Sequence, residues 1–121
     1  MREEIIEIGK NMKEEIIKIK IGNLKYSISF NKDSAMEMNN LLGFIAYNKG
    51  EIVLVKGMSE DKKIEVLMHE LTHAVLDDRN IQNSCVDENF VDSFAKGLIS
   101  LIQNNHELIE VLEKIKNKEN K

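Results

Sequence analysis

Proline and tryptophan are absent from this chain, cysteine occurs once, and aromatic residues make up only 5% of it. Without proline, nothing interrupts a helix or stiffens a linker. With one thiol, Cys85, no internal disulfide can form, which fits the cytosol better than an oxidising compartment. With so few rings, Ile, Leu, Val and Met must do most of the packing. Also missing is any run of eighteen apolar residues that would cross a bilayer, and Met1-Arg2-Glu3-Glu4 lacks the cationic segment and apolar run of a signal peptide. An excess of positive charge is missing too: the formal net charge is −4, so nucleic-acid phosphates meet no attracting field. The expectation is a cytoplasmic protein with no membrane segment and no direct contact with nucleic acid. Lys114, Lys116, Lys118 and Lys121 alternate with Glu113 and Glu119 at the end of a helix, where cations complement the dipole, and residues 116–121 read as a solvated tail.

What is present is concentrated in His69-Glu70-Leu71-Thr72-His73, an H-E-x-x-H run inside an amphipathic helix. Ser59 suits the N-cap, Glu60 and Asp61 suit the first turn, and neither Pro nor Gly intervenes before Asp78. Ile64, Leu67, Met68, Leu71, Ala74 and Val75 form one apolar stripe, and His69 and His73 project nearly opposite it, flanked by Val66 and Leu76. Residues i and i+4 stack on one helix face, so both imidazoles can reach one metal ion while Glu70 leans toward an open coordination position. A zinc ion held by three protein groups lowers the pKa of its bound water to about 7, and a neighbouring carboxylate can take the proton as the water attacks a carbonyl. The pattern points to a zinc-dependent hydrolase with Zn2+ on His69 and His73 and Glu70 as general base. Against this stands an ordinary helix whose histidines carry no metal.

The third ligand has to come from elsewhere. A metzincin continuation would need Gly where Leu76 stands and His where Arg79 stands. A deformylase-like site would need a cysteine upstream, and Cys85 lies downstream. A second helix opens within Ser84-Cys85-Val86-Asp87-Glu88-Asn89-Phe90-Val91-Asp92, with Val91, Phe94, Ala95, Leu98, Ile99, Leu101 and Ile102 as its buried side. Glu88 and Asp92 share one face of it, so Glu88 can ligate the metal while Asp92 accepts the other N–H of a ligand imidazole, His69 by preference. Asp87 competes for the ligand role, and first-turn acids also suit a helix dipole with no metal at all. Cys85 reads as a small buried residue, a reactive thiol at a helix start, or a ligand.

The strand-like Gly50-Glu51-Ile52-Val53-Leu54-Val55, the helix from Ile64 to Leu76 with its H-E-L-T-H core, and Glu88-Asn89-Phe90-Val91-Asp92-Ser93-Phe94-Ala95 together resemble the ImmA/IrrE-type metallopeptidase domains, many of them short proteins of phages and mobile elements. The resemblance covers residues 40–105. It implies a gluzincin-like site and a protein or peptide substrate, in characterised members a helix-turn-helix transcriptional repressor.

Upstream, Ile17, Ile19 and Ile21 alternate with lysines, Gly22-Asn23 supplies a turn, and Tyr26, Ile28 and Phe30 alternate with serines, which predicts a hairpin. Asp33 suits the cap of a short helix ending near Gly43, after which residues 44–47 and 51–55 form a second pair across Asn48-Lys49-Gly50. An edge strand beside the cleft would bind an extended peptide through its main chain, unless both sheet edges are covered. Residues 1–14 read equally as helix or frayed segment. A last helix carrying Leu108, Ile109, Val111, Leu112 and Ile115 is expected to pack across the domain. His106, Tyr26 and Tyr47 are candidate transition-state donors, with surface exposure or core packing as the plainer roles. The whole reads as α+β: a small antiparallel sheet on a helical core, a zincin-like H-E-x-x-H helix plus a Glu-bearing helix, in one domain over residues 1–121. The function expected is a zinc metalloendopeptidase; the rival reading is a catalytically silent module of the same build that binds a regulatory protein.

Overall fold

A computed structural model of the chain describes residues 16–30, 41–82 and 86–119. The helix expected after Asp33, residues 1–14, and Cys85 lie outside the described residues. Among the described residues four strands come first: β1 (Ile17–Ile21), β2 (Leu24–Phe30), β3 (Gly43–Ala46) and β4 (Glu51–Leu54). Three described helices follow, α1 (Glu60–Asp78), α2 (Glu88–Asn104) and α3 (Leu108–Glu119), so the chain is α+β as expected. None of the described helices is long and apolar enough to cross a membrane.

Both predicted hairpins form. β1 pairs antiparallel with β2 across Gly22-Asn23, with Ile19 opposite Tyr26. β3 pairs antiparallel with β4, with Ile45 opposite Ile52, across the 3-10 turn Tyr47–Lys49 and Gly50. The sheet is not purely antiparallel, however. Its order is β1-β2-β4-β3, and the two hairpins join through a parallel β2–β4 pair that sets Ile28 beside Ile52 and Phe30 beside Leu54. Pairing β2 with β4 puts the most apolar faces, Tyr26, Ile28 and Phe30 beside Ile52 and Leu54, in the sheet centre. Alternation along the sequence reveals each strand but not which hairpin edges meet.

That central face meets α1. Ile52, Leu54 and Ala74 are fully buried in one cluster with Tyr26, Ile28 and Phe30, and Val66, Leu67 and Leu71 close over it. Each large aliphatic side chain removed from water here contributes about 1.5–3 kcal/mol. On the sheet's other face, Val53 and Val55 are buried with Phe44 against them.

The ends of α1 follow from their residues. The Ser59 hydroxyl accepts from the Lys62 N–H at 3.2 Å, with Glu60 and Asp61 in the first turn. At the other end Asn80 takes the left-handed conformation (φ +62°). Its N–H reaches the Asp77 carbonyl, while Ile81 N–H reaches that of Leu76, so both free carbonyls are satisfied in a Schellman turn. The face α1 buries differs from the apolar stripe. Ile64 and Val75 are exposed, whereas Glu70 is buried with Ala74. At 100° per residue, the arc that meets the sheet is rotated from the stripe by roughly 70° toward Glu70. This rotation carries His69 and His73 to the margin of the sheet-facing side.

α2 packs on α1 through Val91 and Ala95, both buried, with Leu98 and Ile99 half-buried. Phe94, Leu101 and Ile102, expected inside, are exposed, because α2 covers its partner with a single narrow seam. α3 packs closely on no other described element, contrary to expectation, and its side chains from Ile109 to Lys118 are all exposed. Residues 116–119, read as a solvated tail, are the last turn of this helix.

Candidate metal centre

Between β3, the edge strand among the described residues, and the helices α1 and α2 lies a cleft of about 770 Å³. The segment Leu41 to Ile45 and Tyr47 form one wall; His69, Glu70 and His73 of α1 and Glu88 and Asp92 of α2 form the other. His69 and His73 stand one turn apart on α1, their rings 4.9 Å between centroids and edge-to-face. The ligand-capable atoms of His69, Glu70 and His73 all lie within 4.8 Å of one another.

Glu88 completes the cluster from the second helix. Its Oε2 is 2.9 Å from Nε2 of His69 and its Oε1 is 3.0 Å from Nε2 of His73. Asp87, its competitor in the sequence, is the N-cap of α2: Oδ1 accepts from the Asn89 N–H at 2.9 Å. With the cap made by Asp87, the helix begins at Glu88 and presents that carboxylate to α1.

The donor set suits a divalent cation. Two imidazole nitrogens and one carboxylate are the ligand types of tetrahedral zinc sites, in which bonds of 2.0–2.2 Å set neighbouring ligand atoms about 3.3 Å apart. The N–O separations of 2.9 and 3.0 Å, one to each carboxylate oxygen, are of hydrogen-bond length and just under that edge.

Glu70 is 9% exposed, and burial pushes its carboxyl above the ordinary range, against the pull of His69 and His73, with Glu88 adding to the rise. Asp92 stands beside His69, with Oδ1 3.9 Å from Nδ1, too far for a hydrogen bond. Its other oxygen meets Nζ of Lys96 at 3.0 Å, which holds the Asp92 carboxyl below and the Lys96 amine above their usual values. Lys96 also reaches Glu65 at 3.7 Å, tying α2 to α1 above the cleft. This Asp92–Lys96–Glu65 chain was not singled out in the sequence, although Glu65 precedes His69 by one turn and Lys96 follows Asp92 by one, a spacing that marks shared faces.

Of the candidate donors, Tyr26 is in the core at 2% exposure, and His106 is exposed in the turn before α3, outside the cleft lining. Tyr47 alone of the three lines the cleft. Its hydroxyl is pushed up to about 12, first by burial and then by Asp77, Glu70, Tyr26 and Glu88.

No protein-family model, curated protein or solved structure matches the chain.

Proposed function

We propose that this chain is a metal-dependent peptidase, with His69, His73 and Glu88 holding one zinc ion and Glu70 acting as general base. The observation that carries the reading is the convergence of the Glu88 carboxylate on the Nε2 atoms of both H-E-x-x-H imidazoles, with the buried Glu70 carboxylate alongside. Bound zinc would supply Lewis acidity to a water molecule and to the scissile carbonyl. Glu70 takes a proton from the attacking water and delivers it to the departing amine nitrogen. The low-polarity surroundings that raise its carboxyl bring its basicity closer to that task. Tyr47, across the cleft, donates its O–H to the carbonyl oxygen as charge develops there.

The substrate is an extended peptide segment. β3 is an edge strand whose one described neighbour is β4, and it lines the cleft beside the imidazoles. Main-chain pairing along β3 would hold a peptide with loose sequence preference. β4, which leads into α1, is interior and takes no part in such pairing. The resemblance to ImmA/IrrE-type domains suggests a helix-turn-helix repressor as the physiological target and a cytoplasmic setting. Asp92 orients His69 across their 3.9 Å gap, through a water molecule or a small ring movement.

The test is metal analysis and peptide hydrolysis on protein purified without added metal. Wild-type chain should carry about one equivalent of zinc, and Glu70→Gln should keep it while turnover falls by about 10²–10⁴-fold. A metal-free wild-type protein, or a Glu70→Gln variant as active as its parent, overturns the reading. So does a metal-loaded wild-type chain that cleaves no peptide, which would instead make it a silent binding module.

A further inference from the structure

The last helix leaves an apolar face uncovered. Ile109, Val111, Leu112 and Ile115 are each about half exposed, and Leu108 is the one half-buried side chain among residues 108–118. Such a stripe on a helix that packs closely on no described element invites a partner. Along the helix Glu107, Glu110 and Glu113 precede Lys114, Lys116 and Lys118, and Glu119 ends it. That order complements the helix dipole in a lone helix, but the dipole gives no reason for the uncovered stripe.

We propose that α3 pairs antiparallel with α3 of a second copy of this chain, around a two-fold axis near residue 113. Helical geometry at 100° per residue sets Glu107 and Lys118 on one flank of the stripe, and Glu113 and Lys116 on the other. Antiparallel helices bring like flanks together. With the axis between residues 113 and 114, Leu112 of one copy packs on Ile115 of the other, and Glu107 with Lys118 and Glu113 with Lys116 each fall within one residue of that register. One register therefore brings both flanks and the apolar seam together to within about one residue, with Glu119 opposite Leu108 of the other copy ending the seam, and a two-fold interface must be self-complementary in this way. A seam of 12 residues is short, so the association is weak and depends on concentration.

Sedimentation equilibrium of the full chain at low salt tests this. The wild-type mass should rise with concentration from 13.9 kDa toward twice that value. Glu107→Lys with Glu113→Lys, and separately Lys116→Glu with Lys118→Glu, should each weaken self-association by about tenfold or more, because like charges then face each other. An equimolar mixture of the two variants should regain the association that each lost, which also demonstrates that both fold. A wild-type chain that stays at 13.9 kDa throughout overturns the proposal, as does a mixture that fails to associate. If that monomer cross-links from α3 to residues 1–15, the face belongs to the chain's own first segment and the two-fold pairing is likewise overturned.

Discussion

Tyr26 and Tyr47 differ in where the backbone puts them. Tyr26 sits mid-strand in β2 under α1, whereas Tyr47 opens the 3-10 turn after β3 and lines the cleft with 40% of its surface exposed. A phenol can stabilise developing negative charge only while it keeps its proton. Burial, and after it the charges of Asp77 and Glu70, push the Tyr47 hydroxyl up to about 12, above the ordinary 10. The sign matters: a raised value keeps the hydroxyl protonated to higher pH than a free phenol. Tyr47→Phe removes one O–H and little packing. Metal content should be unchanged and kcat should fall by about 10²–10³, the loss typical of one oxyanion donor, with KM moving little. Steady-state kinetics on metal-loaded protein decides it; a Phe variant with parental kcat would remove Tyr47 from the chemistry.

Gly50 shows how a single turn residue sets the site wall. It adopts φ +62°, and a Cβ there would lie 2.6 Å from the Lys25 carbonyl oxygen. Its own carbonyl accepts from the Ser27 N–H at 2.8 Å, so the turn that carries Tyr47 is fastened to β2. Gly50→Ala combines a left-handed backbone with a main-chain clash and should cost about 2 kcal/mol or more, lowering Tm by about 5–10 °C in a thermal melt. An unchanged Tm would mean the turn can rearrange without loss. The alternation of Ile17 to Ile21 and of Tyr26 to Phe30, the Ser59 cap and the i, i+4 imidazoles were legible in the sequence because each is a local pattern with a local cause. The parallel junction of β2 with β4 was not, since it joins residues about twenty-four apart through backbone hydrogen bonds that leave no periodic trace. Burial on α1 misled for a related reason. Ile64 and Val75 belong to its apolar stripe but face water, because orientation is decided by what the sheet and α2 leave open, not by the helix alone. Phe94 is a parallel case on α2, where it stacks on Phe90 at 5.8 Å and both rings remain half exposed.

For the molecule as a whole, the cleft residues also govern how α2 is held. Val91 and Ala95 form a small seam against α1, and Lys96 adds ion pairs with Asp92 and Glu65 that are largely exposed and contribute little. Glu88 begins α2, and both its oxygens face imidazoles of α1, so an ion bound there would staple the start of one helix to the middle of the other. Because the unfolded chain lacks this arrangement, binding energy becomes folding energy. At free zinc 100-fold above its dissociation constant, the gain is about 2.7 kcal/mol. In a domain of this size that raises Tm by about 5–15 °C. Scanning calorimetry with zinc and with a chelator should resolve two such melts in the wild-type chain and merge them in Glu88→Ala. The chelated Glu88→Ala protein should remain folded, since the cluster around Ile52 and Leu54 does not involve the cleft carboxylates. If the zinc-dependent shift survives in Glu88→Ala, the ion is held by other groups, and the link between α1 and α2 does not pass through Glu88. If the wild-type chain shows no shift, the convergence of His69, His73 and Glu88 is a hydrogen-bonded contact between two helices and nothing more.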